Sequence, residues 1–175
     1  MIPNLRDVGE TINIIYGQEI MHEGILYRGG TVNELFDETE LPDVSCILSL
    51  RTGKDKRFNQ KHQIHIPAVD TVENYLTSNG KVRGWANRVL AAMNNEIAFP
   101  ILIHCTAGKD RTGVIIALIL LAIDIHVDII EEEYLQTKGV KGSNNIKEAI
   151  QGIGKVEEYI YDLSIIDLLK KRLRK

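Results

Sequence analysis

Short apolar runs alternate with longer amphipathic segments along this chain, which predicts an α/β protein: a single-domain three-layer α/β/α arrangement over residues 1–175 around a central, mostly parallel (mixed) sheet. Two runs carry that reading. Val44 to Leu50 is largely apolar and bounded by Pro42 and Gly53. Ile101 to Ile103 follows Pro100, and both have the length and flanks of buried strands. The third observation is the apolar run from Val114 to Ile123, too long for a strand and about half of what a bilayer requires, hence a buried helix. At 175 residues, 44% hydrophobic and 26% charged, the chain has the composition of one globular core.

In chain order, Ile12 to Ile15 and Ile25 to Tyr27 are predicted as two short strands joined through Gly17 to Gly24 in a hairpin. Glu34 to Leu41 is predicted as a short helix stopped by Pro42. The Val44–Leu50 strand follows, then a shorter alternating strand from Gln63 to Pro67. Val82 to Ile97 has Trp85, Val89, Ala92 and Met93 on one side, the pattern of an amphipathic helix. After the central strand, Thr112 to Ile123 forms the buried helix. Asp128 to Lys138 is a helix N-capped by Asp128 and closed by Gly139. Asn144 to Ile150, Lys155 to Asp162 and Ile165 to Arg174 are further helical pieces.

Bulk properties exclude several roles. A net charge of −3 argues against nucleic acid as a partner, although not against a local basic site. Two cysteines are too few for a disulfide framework, and the N-terminal residues lack the apolar stretch of a signal peptide, so a cytoplasmic, reducing location is expected.

The function is concentrated in Ile103-His104-Cys105-Thr106-Ala107-Gly108-Lys109-Asp110-Arg111-Thr112-Gly113. A parallel strand delivers its C-terminal loop to the ligand-binding edge of an α/β sheet. Backbone N–H groups of residues 106–111, followed by a helix N-terminus, make an anion site. Arg111 adds two charge-assisted bonds to phosphoryl oxygens. The same donors favour the thiolate of Cys105 and place it for in-line attack on phosphorus. Thr112 can donate to the departing sulfur, and His104 can pin the loop by hydrogen bonding. A nucleotide P-loop fails because Asp110 follows Gly108-Lys109 and Ile103 stands where its first glycine belongs. A metal site fails because His104 and Cys105 have no second pair of ligands at the required spacing, so neither metal nor cofactor is expected. A cysteine protease has no use for Gly108-Lys109-Asp110-Arg111.

The leaving oxygen needs a general acid. Asp70, just after the Gln63–Pro67 strand, is the first candidate. Asp110, inside the loop, is the second, and Asp55 the third. Asp70 as a turn or cap before Val72 to Leu76 is the competing reading. The loop from Arg51 to Lys61, with Arg51, Lys54, Lys56, Arg57 and Lys61 against Asp55, opens on the same side if the Val44–Leu50 strand is parallel to the central one.

His104 to Gly113 resembles the signature loop of the cysteine-dependent protein tyrosine phosphatase superfamily, and is most similar to the bacterial tyrosine/serine phosphatase group with a His-Cys-x-Ala-Gly-Lys-Asp-Arg-Thr loop. Asn4-Leu5-Arg6-Asp7-Val8-Gly9, Leu26-Tyr27-Arg28, Ile47 to Thr52 and Glu133-Tyr134-Leu135 resemble further short motifs of that group, in order. Gly29 and Ser49 depart from it. The resemblance implies Cys105 as nucleophile, Arg111 as phosphate clamp, Thr112 as aid to thiol departure, residues 106–111 as the substrate cradle and no metal. It leaves Asp70 and Asp110 both open as the acid. The short stretch from Arg28 to Val44 leaves little room for a lid and implies an open pocket.

Two substrate classes follow. One is a phosphotyrosine or dual-specificity protein substrate. The alternative is a phosphoinositide or inositol phosphate, which Lys109 with Lys54 and Arg57 in a shallow basic cleft would suit. Cys46, on the neighbouring strand, is read as a core cysteine rather than a disulfide partner for Cys105. The basic end, Lys170 to Lys175, is read as a helix terminus with favourable dipole charges rather than as a membrane contact.

Overall fold

The computed structural model describes residues 1–95 and 98–175. Its sheet contains β1 (Arg6–Asp7), β2 (Leu26–Gly29), β3 (Cys46–Ser49), β4 (His62–His65) and β5 (Ile101–His104). The spatial order is β1-β2-β5-β3-β4, antiparallel between β1 and β2 and parallel elsewhere, so the sheet is mixed and mostly parallel as expected. β5 is central, and Ser49 and Gly29 are both level with His104. The connections after β2, β3, β4 and β5 therefore open along one edge.

Alternate residues of the strands enter different cores. Leu26, Cys46, Leu48, Ile101 and Ile103 join the larger cluster, which also takes the buried apolar residues of α1 (Val8–Tyr16), α2 (Gly80–Met93), α3 (Asp110–Ala122), α4 (Val127–Leu135), α5 (Asn144–Ile153), α6 (Val156–Tyr159) and α7 (Ser164–Leu173). Ile47 and Leu102 face a smaller cluster built from Ile2, Val32, Leu35, Leu41, Val44 and Phe58. The two covers are thus unequal among the described residues: helices on one face, loops on the other. α3 explains the asymmetry. Val114 to Leu120 are at most 1% exposed, so the helix needs apolar neighbours all round, and it contacts β2, β5 and α4 through α7.

Local predictions fail at four places. Ile12 to Ile15 is not a strand but part of α1, so the hairpin is absent. Asp7 accepts the Glu10 amide at 3.3 Å, and Gly17 closes the helix at φ 78°. Val8 and Ile12, one turn apart, are buried while Ile14 is 73% exposed, so a 3.6-residue period overrides the strand preference of the isoleucines. Glu34 to Leu41 yields only a 3₁₀ turn at Glu38–Glu40, begun by Asp37. α4 is capped by His126, not Asp128, and it ends at Leu135 with Gln136 as its C-cap rather than at Lys138 before Gly139. The amphipathic helix ends at Met93, and the predicted terminus at Ile97 lies outside the described residues.

Candidate active site

β5 ends at His104 and passes directly into the loop of Cys105, after which α3 starts at Asp110. The turn requires glycine in two places. Gly108 has φ 69°, and a Cβ there would lie 2.5 Å from the carbonyl carbon of Gly29. A Cβ on Gly30 would lie 2.8 Å from the Thr106 carbonyl oxygen. The loop is therefore interlocked with the end of β2 by backbone contact.

Three successive loop carbonyls are occupied. Thr106 O accepts the Thr31 amide at 2.9 Å, Ala107 O the Asn4 carboxamide at 2.9 Å, and Gly108 O a guanidinium N–H of Arg28 at 3.1 Å. The amides of residues 106–111, in contrast, donate to no other described residue. A row of N–H groups directed away from the chain ahead of a helix N-terminus is an arrangement that suits an anion.

Cys105 opens this cradle and is 2% exposed. Arg111, 1% exposed, donates to Leu50 O at 3.2 Å, to Ala68 O at 3.0 Å and to Thr106 Oγ1 at 3.1 Å, while its Nε has no partner among the described residues. Asp70 places a carboxylate oxygen 3.0 Å from the same guanidinium. An acidic side chain thus occupies the cation that a phosphate would need. Thr112 is fully buried with its hydroxyl unpartnered. Val32, Leu35, Leu41 and Val44 of the short stretch after β2 line the smaller core, and Asp70, whose side chain is 59% exposed, lies against Arg111.

The sequence model of the tyrosine phosphatase family matches residues 1–161. The chain belongs to that family. It is 37% identical over 73 residues to the triple specificity protein phosphatase PtpB of Mycobacterium tuberculosis, a match covering 39% of this chain and only 26% of that relative. Its fold is similar to the catalytic core of the PP-IP phosphatase SIW14 of S. cerevisiae, with a TM-score of 0.56 at 18% identity over 86% of this chain and 91% of that one. It is also similar to P. aeruginosa TpbA, with a TM-score of 0.51 at 17% identity over 83% and 86%.

In this family member His104 is fully buried, with one ring nitrogen 3.3 Å from Cys105 O and the other 2.6 Å from Asp55. Asp55 also receives Arg51 at 2.9 Å. Burial opposes its ionisation, but the hydrogen bond and charge of His104, with Arg51, outweigh it and hold the carboxyl below its ordinary range. Both oxygens of Asp55 are engaged, by His104 and by Arg51, in support of the loop. Asp110 accepts the Tyr75 hydroxyl at 2.6 Å, which in turn meets the Tyr134 hydroxyl at 2.6 Å, and Lys109 lies 3.6 Å away. Asp70 does not cap the following turn, because Thr71 does.

Lys54 and Arg57 do not share a described cavity with Lys109. Lys54 and Arg57 border a cavity of about 630 Å³ beside His62 and Ile64, whereas Lys109 borders another of about 360 Å³ with Asp110, Tyr134 and Lys141. Lys56 and Lys61 are spent on the carbonyls of Leu35, Phe36 and Val44. Cys46 is level with Ile101, four residues along the strand from Cys105 and so about 13 Å away, beyond disulfide reach. Its thiol is pushed up to about 12 by burial. The basic C-terminus is tied to the fold: Lys170 meets Asp124 at 2.7 Å and Arg174 donates to Ile123 O at 2.8 Å.

Sequence reasoning missed five residues around the loop: Asn4, Arg28, Glu133, Tyr75 and Tyr134. All but Tyr75 lie in the short motifs that resembled the family, so a signal was present, but it named no role.

Proposed function

We propose that this chain is a single catalytic domain that hydrolyses phosphate monoesters through a phosphocysteine at Cys105. The observation that supports it most is the row of unpartnered amides from Thr106 to Arg111 between a buried thiol and a buried guanidinium. No helix among the described residues is long and apolar enough to cross a membrane. A nucleophile of this kind needs a reducing compartment, and we place it in the cytoplasm on that ground.

The substrate dianion takes the loop amides and displaces Asp70 from Arg111. Arg111 then offers the phosphate its free Nε–H and a second N–H in one plane. Asp70, released from Arg111 and still beside the phosphate site, serves as the acid at the ester oxygen. The Cys105 thiolate attacks phosphorus, the P–O ester bond breaks, and the leaving oxygen takes the Asp70 proton. Water then attacks the phosphocysteine and yields its proton to Asp70. The S–P bond breaks with the thiolate stabilised by the Thr112 hydroxyl, and inorganic phosphate leaves. Lys109, whose side chain is one-third exposed, contributes charge at the rim rather than a clamp.

The substrate reading is a phosphotyrosine or dual-specificity protein substrate. The second reading, a phosphoinositide or inositol phosphate, is favoured by Lys109 and Lys141 bordering one concavity beside the loop. Assay of the full chain against phosphotyrosine peptides and against phosphoinositides ranks the two by kcat/KM. For the chemistry itself, Cys105→Ser is expected to bind orthovanadate or phosphate yet lose turnover. Turnover retained by that variant refutes the covalent route.

A further inference from the structure

Arg28 and Glu133 are among the most deeply buried charges of the molecule, at 0% and 1% exposure, and the proposed reaction uses neither. Arg28 donates to Glu133 at 2.6 Å through one nitrogen and to the Gly108 carbonyl at 3.1 Å through the other. The opposite oxygen of Glu133 accepts Arg6 Nε at 2.8 Å. Arg6 also reaches Glu133 O and Thr137 Oγ1, each at 2.9 Å. Asn4 joins the same construction by bridging Ala107 O at 2.9 Å and the Lys138 amide at 2.8 Å. Three segments more than a hundred residues apart at their extremes thus converge behind the phosphate loop.

We infer that Arg28, oriented by Glu133, is a positioning residue of the catalytic loop, and that with Asn4 it turns the peptide units of Ala107 and Gly108 so that the loop amides point at the bound phosphate and at the Cys105 sulfur. A peptide unit is rigid and its C=O and N–H are opposed. Holding the carbonyls of residues 107 and 108 from behind therefore aims the N–H groups of Gly108 and Lys109 forward. The electrostatics act in the same direction. Burial, and after it the charge of Arg28, bring the Arg6 guanidinium down to about 10, which still leaves Arg6 charged at neutral pH. The cluster has a net charge of +1 next to the first turn of α3, where Arg28 lies 3.8 Å from the Cβ position of Gly113. Stability alone does not call for this arrangement, because a buried ion pair is commonly replaced by apolar side chains without loss. The bond from Arg28 to a loop carbonyl is what an apolar pair cannot supply.

This inference rests on the proposed phosphatase chemistry only for its kinetic readout; thiol reactivity and phosphate binding test it separately. In the full chain, Arg28→Lys keeps the charge but loses the planar fork that spans Glu133 and Gly108. The expected results are a rise in the pH midpoint of Cys105 alkylation by iodoacetamide, weaker competition by inorganic phosphate, and a fall in kcat of about 10- to 100-fold, the range typical of residues that orient a site's direct ligands. Asn4→Gly, whose backbone at φ 53° glycine accepts, is expected to shift the same readouts in the same direction and guards against misfolding of the Arg28 variant. An alkylation profile and phosphate affinity unchanged from wild type in a folded Arg28→Lys protein, or in Asn4→Gly if the former does not fold, overturns the inference, whatever happens to melting temperature. Wild-type protein that fails to hydrolyse any phosphate monoester counts against the reaction, not against this loop assignment.

Discussion

Asp70 and Asp110 separate the two ways an acid can be placed. Asp70 is on a segment between elements and has its carboxylate on Arg111, the proposed phosphate clamp. Asp110 is fixed in the first turn of α3, with one oxygen taken by Tyr75. Asp70→Asn is therefore expected to lower kcat by about 10²- to 10⁴-fold on phosphotyrosine, and by less on an ester whose leaving group needs no proton. Asp110→Asn is expected to cost much less; the reverse order would transfer the acid role to Asp110. The cysteines differ as sharply. Cys46 carries a thiol pushed up to about 12 by burial, so iodoacetamide at pH 7 is expected to add one label, at Cys105, by peptide mass analysis. A label on Cys46 would contradict the burial seen here. These residues were readable in the sequence to different degrees. The loop was legible because nucleophile, amides and guanidinium are consecutive. The partners of Asp110 were not, since Tyr75 and Tyr134 are 35 and 24 positions away, nothing near Tyr75 marks it, and the motif that holds Tyr134 names no role for it.

At the scale of elements, α3 is the piece on which the site depends, because its first turn ends the cradle and its body is enclosed on all sides. Ile116→Ala removes a side chain 1% exposed and is expected to destabilise the protein by about 2–5 kcal/mol in urea unfolding. The connection after β3 is a second such piece, fastened to β5 by Asp55 and His104. Because the Asp55 carboxyl is held below its unfolded range, its contribution is fully present above the ordinary carboxylate pKa of about 3.9 and is lost as pH falls through the depressed value. Asp55→Asn is expected to lower the melting temperature at pH 7 and to narrow its gap to wild type as pH falls towards 3. A gap that stays constant over that range would show that the carboxylate does not titrate as argued. Strands β3 and β5 were legible from their apolar runs, and β4 from a short alternation. α1 was not, because Ile12, Ile14 and Ile15 favour strand locally, and only packing of Val8 and Ile12 on the larger core selects the helix.

For the molecule as a whole, the C-terminal helix closes the larger core. Leu169 and Leu173 are fully buried, and the Leu173 carbonyl accepts the His22 amide at 2.8 Å. Leu173→Ala is expected to cost about 2–5 kcal/mol, whereas Lys170→Ala, which removes only a partly exposed ion pair to Asp124, is expected to cost less than about 1 kcal/mol. Denaturant melts of the two variants check that ranking. The apolar face of the last helix thus closes the fold, while its basic residues lie in its last turn.

The amino-acid order by itself determined the kind of sheet and the groups of the proposed phosphate site, since eleven adjacent residues hold its thiol, its amides and its guanidinium. Folding decided what chain order does not encode. It set which carboxylate rests on Arg111, which face of the sheet is left to loops, and which buried charges grip the back of the cradle. Each of these depends on a distance between segments separated by tens to more than a hundred residues, and such distances exist only once the core has closed.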